Sequence, residues 1–254
     1  MHWLLQNDVL KEAGHQRLID ALVARAVPHS VHACLPGGSG LEPEPVLRSN
    51  KVIVIGSNAL VAEANKRGWR PGGFINDNFD FAVQLKHWRN HMLNSDAVMH
   101  DFANVPPQPQ PFFIRPLDDH KAFAGKLTDW PSFILWRDNS AEIDPELRVM
   151  VSKPKQLLRE YRTWIVKGRV VTASLYRDGA RNVAIAIDDT PEGQAVVAFA
   201  ELRASEWSPH DAYCLDIAVT QNGLRIVEVN TINALGFYAG DMGKLVDALQ
   251  ALAS

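Results

Sequence analysis

Tyr213-Cys-Leu-Asp-Ile-Ala-Val-Thr-Gln-Asn-Gly-Leu-Arg-Ile-Val-Glu-Val-Asn-Thr231 decides how the chain folds. Two apolar-rich segments flank Gln221-Asn222-Gly223, so the stretch reads as a β-hairpin. With those three residues as the loop, Thr220 pairs with Leu224, and Asp216 falls opposite Glu228. Asn230 lies two residues beyond Glu228 and shares its face. Two carboxylates and an amide oxygen then gather on one patch of sheet, where the acids repel unless a cation lies between them. Hard oxygen donors of this kind suit Mg²⁺ carrying a nucleotide's phosphates. A two-residue Asn-Gly loop is the alternative, and it sends Asp216 to the opposite face. The plainer reading is an edge hairpin with a solvated polar side. Asp216 weighs against it, because Cys-Leu-Asp-Ile-Ala-Val would bury an acid at a cost unless the acid has a partner.

The 254 residues allow one large domain or two small ones. A content of 46% hydrophobic and 22% charged residues is that of a soluble globular protein. A net charge of −3 gives no bulk attraction to nucleic acid or to an anionic membrane. Cys34 and Cys214, the only cysteines, lack metal-site spacing, so a reducing cytoplasm is the simplest setting. Met1 to Asp8 lacks the pattern of a signal peptide, and no apolar run is long enough to span a bilayer. The nine histidines are scattered and the seven tryptophans are read as core residues.

Along the chain, apolar periodicity predicts an amphipathic helix over 9–27, ended by Pro28. Lys51-Val-Ile-Val-Ile55 reads as a buried strand turning at Gly56 into a helix from Ala59 to Arg67. Phe79 to Leu93 reads as another helix and Ala97–His100 as a strand. Pro106-Pro-Gln-Pro-Gln-Pro111 favours an extended connection and sets the expected boundary between residues 1–105 and 106–254. Beyond it, Phe112–Ile114 and Arg148–Ser152 read as strands. Tyr161–Val166 and Arg169–Arg177 form a hairpin across Lys167-Gly168 that brings Glu160, Arg162 and Arg177 to one face. Helices are expected over Glu192–Ser205 and Asp241–Leu252.

The polar residues of the second half come in a telling order: Arg115, Lys121, Glu160, Arg162, Asp216, then Glu228-Val-Asn230. This order resembles the ATP-grasp superfamily from about Pro111 to Ala253. Asp216 followed by Glu228-Val-Asn230-Thr231 is similar to its Mg²⁺-binding Asp…Glu-x-Asn. Phe113-Ile-Arg-Pro116, Lys121-Ala-Phe-Ala-Gly125 and Glu160-Tyr-Arg162 look like a divergent bacterial and phage-associated branch. The resemblance implies an α/β and α+β architecture: an ATP-grasp fold of two α+β subdomains clamping ATP, preceded by a small α/β N-terminal domain.

It also implies roles. Arg115 stands where a strand lysine usually touches ATP phosphates, its planar fork replacing a point charge. Lys121 and Gly125 match the loop that closes over the phosphates, and Glu160 the carboxylate that accepts from ribose hydroxyls. Met150, Val151 and Ser152 match the hinge whose backbone reads adenine. Asp216, Glu228 and Asn230 match the Mg²⁺ ligands. Amide-forming relatives often carry an arginine two residues before the metal-binding Asp, where this chain has Cys214. Arg162 or Arg177 is the candidate replacement, and with Lys121 they form the implied catalytic set. The implied activity is an ATP-dependent ligase joining a small-molecule or peptide carboxylate to an amine through an acyl phosphate. An ATP-grasp kinase and a non-catalytic nucleotide-binding module are the alternatives.

Overall fold

The computed structural model describes the chain except for residues 8–12, 37–39, 75–79, 118–121, 188–189, 234–235 and 253–254. Among the described residues three sheets form. The first contains β1 (His2–Gln6), β2 (His29–Cys34), β3 (Leu41–Glu42), β4 (Lys51–Ile55) and β5 (Arg70–Gly72), in the order β3-β2-β1-β4-β5. It is parallel except for β3. Helices α1 (Ala13–Ala24) and α2 (Asn58–Lys66) cross over between its strands, as parallel pairing requires. Parallel strands covered on both faces carry near-continuous apolar runs, and Val52 to Ile55 are all fully buried.

The second sheet comprises β6 (Val98–Asp101), β7 (Phe112–Pro116), β8 (Lys126–Thr128) and β9 (Arg148–Ser152), ordered β6-β9-β7-β8 and antiparallel throughout. Helix α4 (Trp130–Asp138) packs on one face through Phe133 against Phe102, Phe112, Ile114, Val149 and Val151. Asp129 caps it, accepting from Ser132 N–H at 2.9 Å. The proline-rich stretch expected to separate 1–105 from 106–254 connects β6 to β7, two strands of one sheet. Both ranges therefore contribute to that sheet, because strand pairing follows space and not sequence.

The third sheet has the order β12-β11-β10-β13-β14: β10 (Arg159–Val166), β11 (Arg169–Asp178), β12 (Arg181–Ala186), β13 (Ala212–Thr220) and β14 (Gly223–Asn230). Val166 faces Arg169 across Lys167-Gly168, as the sequence predicts. Period-2 alternation divides its residues between two cores. Tyr161, Ile165, Tyr213, Leu215 and Ile217 pack with α3 (Phe81–Trp88) and α5 (Pro191–Glu206). Trp164, Val166 and Cys214 pack with α1, α6 (Met242–Leu252) and Trp3, Leu5, Ile53 and Ile55 of the first sheet. Helix α3 is shorter than its predicted range because Asp80 caps it, accepting from Ala82 and Val83 N–H, and Arg89 leaves the helix at φ 47°. Phe79, like Val9, Lys11 and Glu12 of the first expected helix, lies outside the described residues. No described helix is long and apolar enough to cross a membrane.

Candidate active site

The hairpin of β13 and β14 fixes the site, by a different route from the one predicted. Its loop is two residues, Gln221-Asn222, and Thr220 pairs with Gly223, whose φ of 91° suits glycine. That register alone would put Asp216 opposite Val227. A β-bulge between Asp216 and Ile217 sets Val227 aside, and Asp216 pairs with Glu228. The expected pairing holds, and the expected three-residue loop is corrected. Asn230 Nδ2 donates to Asp216 Oδ2 at 3.1 Å and to Glu228 Oε1 at 3.0 Å, so all three side chains share one patch.

Arginines supply the charge this patch demands. Arg162 faces Asp216 across β10 and β13. Its Nε and Nη2 donate to Asp216 Oδ1 and Oδ2 at 2.8 and 2.7 Å, a bidentate fork in a site where both residues are buried. The guanidinium lies 5.6 Å from the Tyr176 ring and 5.2 Å from the Tyr238 ring, two rings stacked at 5.1 Å, and Nη1 donates to Gly236 C=O at 3.3 Å. Burial pushes the Asp216 carboxyl above its ordinary value. Arg162 pulls it back, and Glu228 and Glu160 push it up again. Burial opposes the charge on Arg162, but Asp216 outweighs it and holds the guanidinium protonated. Cys214 is fully buried, and burial pushes its thiol well up, so it is a packing residue.

Arg115, on β7 of the facing sheet, reaches across to Glu228 Oε2 at 2.9 Å. Glu160 accepts from Tyr176 Oη at 2.8 Å and Arg177 Nη1 at 2.9 Å. Arg177 is thus held at Glu160, and Arg162 is the arginine that meets Asp216. Between the sheets lies a cleft of about 300 Å³, lined by Arg115, Gly125, Glu160, Tyr176, Arg177 and Glu228 among others. Gly125 sits so close to Phe113 that a Cβ there would stand 2.6 Å from the ring's Cζ. Lys121 lies outside the described residues.

The expected base-reading edge at Met150, Val151 and Ser152 is corrected. Met150 faces Met99 on one side and Arg115 on the other, and Val151 faces Val98 and Ile114. Their backbone groups lie within ladders on both sides, which leaves no free edge there. The chain crosses between the sheets after Ser152, and Lys155 and Leu157 of that crossing line the cleft.

The donor set suits a hard divalent cation. Among the described residues no three His, Cys, Asp or Glu side chains converge to hold a metal ion. Asp216, Glu228 and Asn230 would therefore share Mg²⁺ with phosphate and water oxygens, which is how Mg²⁺ is usually held. Two acids crowded onto one amide, one of them pushed toward protonation, are what a cation would relieve. Asn230 would present its oxygen only after its amide turns over, since Nδ2 now donates to both acids.

Sequence reasoning missed Tyr176 and Tyr238. Tyr176 escaped because a bulge between Glu160 and Tyr161 breaks the simple register, and Tyr238 because it stands in a loop at φ 41°. It also missed Asn94, which lines the cleft from ahead of the proline stretch. No spacing rule links that segment to the later strands.

Residues 10–249 match a family described as an ATP-grasp domain, the third family of its clade. No curated protein sequence matches. Among solved structures, D-alanine–D-alanine ligase from Bacillus anthracis is similar with a TM-score of 0.63 at 13% identity, covering 100% of this chain and 97% of that one. A RimK domain ATP-grasp protein from Sphaerobacter thermophilus DSM 20745 has a TM-score of 0.62 at 16% identity, covering 98% and 100%. The ATP-grasp ligase PsnB complexed with minimal precursor has a TM-score of 0.57 at 14% identity, covering 100% and 99%. At these identities the structures establish a shared fold.

Proposed function

The chain belongs to this ATP-grasp domain family, and from that premise we propose that it is an ATP-dependent carboxylate–amine ligase. The observation that carries the reading is the acidic patch: Asp216 and Glu228 drawn onto one amide at the edge of a cleft whose opposite wall supplies Arg115. Phosphoryl transfer asks a protein for positioning and for neutralisation of charge spread over phosphate oxygens. Arg115 exchanges Glu228 for phosphate oxygens when the nucleotide enters. Arg162 keeps Asp216 ionised and oriented, standing in for the arginine that Cys214 replaces. Glu160 accepts from the ribose hydroxyls, and Lys121 and Gly125 close over the phosphates. Mg²⁺, held by Asp216, Glu228 and Asn230, supplies the remaining positive charge.

In the reaction, a substrate carboxylate oxygen bonds to the γ-phosphorus as the bond to ADP breaks. The amine lone pair then attacks the acyl carbon, phosphate leaves, and the amine's proton passes to solvent. Excluding water from the closed cleft protects the acyl phosphate from hydrolysis. The carboxylate belongs to a small molecule or peptide, as in the D-alanine–D-alanine and precursor-peptide ligases of the same fold.

The test is ADP release with carboxylate and amine panels, using Asp216→Ala, Glu228→Ala and the near-isosteric Glu228→Gln. All three variants are expected to lose ATP turnover, with Glu228→Gln keeping the native circular dichroism spectrum. Wild-type turnover in Glu228→Gln and Asp216→Ala would remove the assignment. ADP release that needs a hydroxyl acceptor and no amine would replace the ligase with a kinase. Tight ATP binding without turnover across the panels would leave a nucleotide-binding module.

A further inference from the structure

We infer that Asn94 reads the nucleobase, donating its amide N–H to a ring nitrogen of a purine. The inference rests on the proposed nucleotide binding and adds a residue from outside the segments matched to it. Asn94 is 5% exposed and lines the cleft. Its Oδ1 accepts from Ser152 Oγ at 3.1 Å. Its Nδ2 has no hydrogen-bond partner among the described residues, yet it is not one of the sealed, unpaired nitrogens. A buried amide with one end held and the other open toward a cleft is a fixed donor awaiting an acceptor.

The position suits a base. Ser152 lies two residues along β9 from Met150, the partner of Arg115, so about 7 Å separates the amide's anchor from the phosphate-side arginine's strand position. Leu93, Phe113, Leu157 and Val227 line the same cleft, giving apolar surface for a flat ring. Val227 is the residue the β-bulge sets aside. The Asn94 backbone is fixed as well: Leu93 N–H donates to Ile226 C=O at 2.7 Å and Ala97 N–H to Asn94 C=O at 2.9 Å. Preorganisation of this kind lowers the entropic cost of binding. Ser152 thus serves the base through its hydroxyl, by orienting Asn94, and not through its backbone.

The acceptors available to such a donor are N1, N3 and N7 of adenine. Calorimetric titration of wild type, Asn94→Ala and Asn94→Asp with Mg²⁺ and ATP, 1-deaza-ATP, 3-deaza-ATP or 7-deaza-ATP tests this. Wild type is expected to bind one of the three analogues about tenfold more weakly than ATP, since the analogue leaves the donor unpaired. In Asn94→Ala, ATP should weaken about tenfold and that analogue should bind no worse than ATP. Asn94→Asp keeps the acceptor for Ser152 and replaces the donor with a charge, so its loss should be at least as large. Unchanged ATP affinity in both variants, or the same analogue penalty in wild type and Asn94→Ala, overturns the inference while leaving nucleotide binding intact. Failure of wild type to bind any of the four removes both.

Discussion

Two arginine–carboxylate pairs stand at opposite ends of one acidic patch, and they are built differently. Arg162–Asp216 is a two-bonded fork with side chains 8% and 2% exposed, flanked by two tyrosine rings. Arg115–Glu228 is a single bond between sheets, with side chains 17% and 27% exposed. The same ion-pair chemistry therefore has two meanings. In the buried pair neither charge can be left alone, so Arg162 is part of the fold. In the more open pair either partner can turn to water or to an incoming phosphate, so Arg115 is available to a ligand.

The largest expected effect breaks the buried pair. Arg162→Ala should cost about 3–5 kcal/mol in urea denaturation, because it strands a buried carboxylate. Equal losses in Arg162→Ala and Arg115→Ala would erase the distinction. Next is the ligand side of the contrast. Arg115→Ala should weaken Mg·ATP binding about ten- to hundredfold by calorimetry, the worth of a charged hydrogen bond, while leaving the fold close to its wild-type stability.

A graded effect follows with pH. Arg162 lowers the Asp216 carboxyl against the upward push of burial. Removing it lifts the folded-state value further above the unfolded one. An acid raised in the folded state holds its proton there, and stability is lost as pH rises through that window. The deficit of Arg162→Ala against wild type should therefore widen as pH climbs out of the ordinary carboxylate range. A deficit that is flat with pH would mean the lost stability comes from the tyrosine packing and not from Asp216.

The contrast was only half legible in sequence. Asp216 opposite Glu228 followed from alternation and one assumed loop, and the pairing is right although the loop is not. A bulge at Val227 compensates for the shorter turn, and bulges answer to the packing of a whole sheet. Long periodic segments such as α5 and α6 were readable because their signal is local. β1, β5, β8, β12 and α4 were not assigned: the strands are short or exposed, and α4 carries Pro131 in its first turn. The pairing of β6 with β9 across the proline stretch is non-local and left no mark in either segment. The Arg162–Asp216 fork was inaccessible for the same reason. Its partners lie 54 residues apart, and only the β10–β13 register brings them together.

The smallest expected effect tests the open pair by itself. A double-mutant cycle of Arg115→Ala and Glu228→Ala isolates their coupling from whatever each contributes elsewhere. Partial exposure and a single hydrogen bond put that coupling at about 0.2–1 kcal/mol. Raising salt from 0.1 to 1 M shortens the screening length from about 10 to about 3 Å, so the coupling should shrink toward zero. The Arg162–Asp216 pair, out of solvent's reach, should keep its stability contribution over the same range. A coupling at Arg115–Glu228 that survives 1 M salt would mean the cleft shields it as fully as the core shields Arg162. The arginine assigned to the phosphates would then have to be pulled from a partner as firmly held as Asp216.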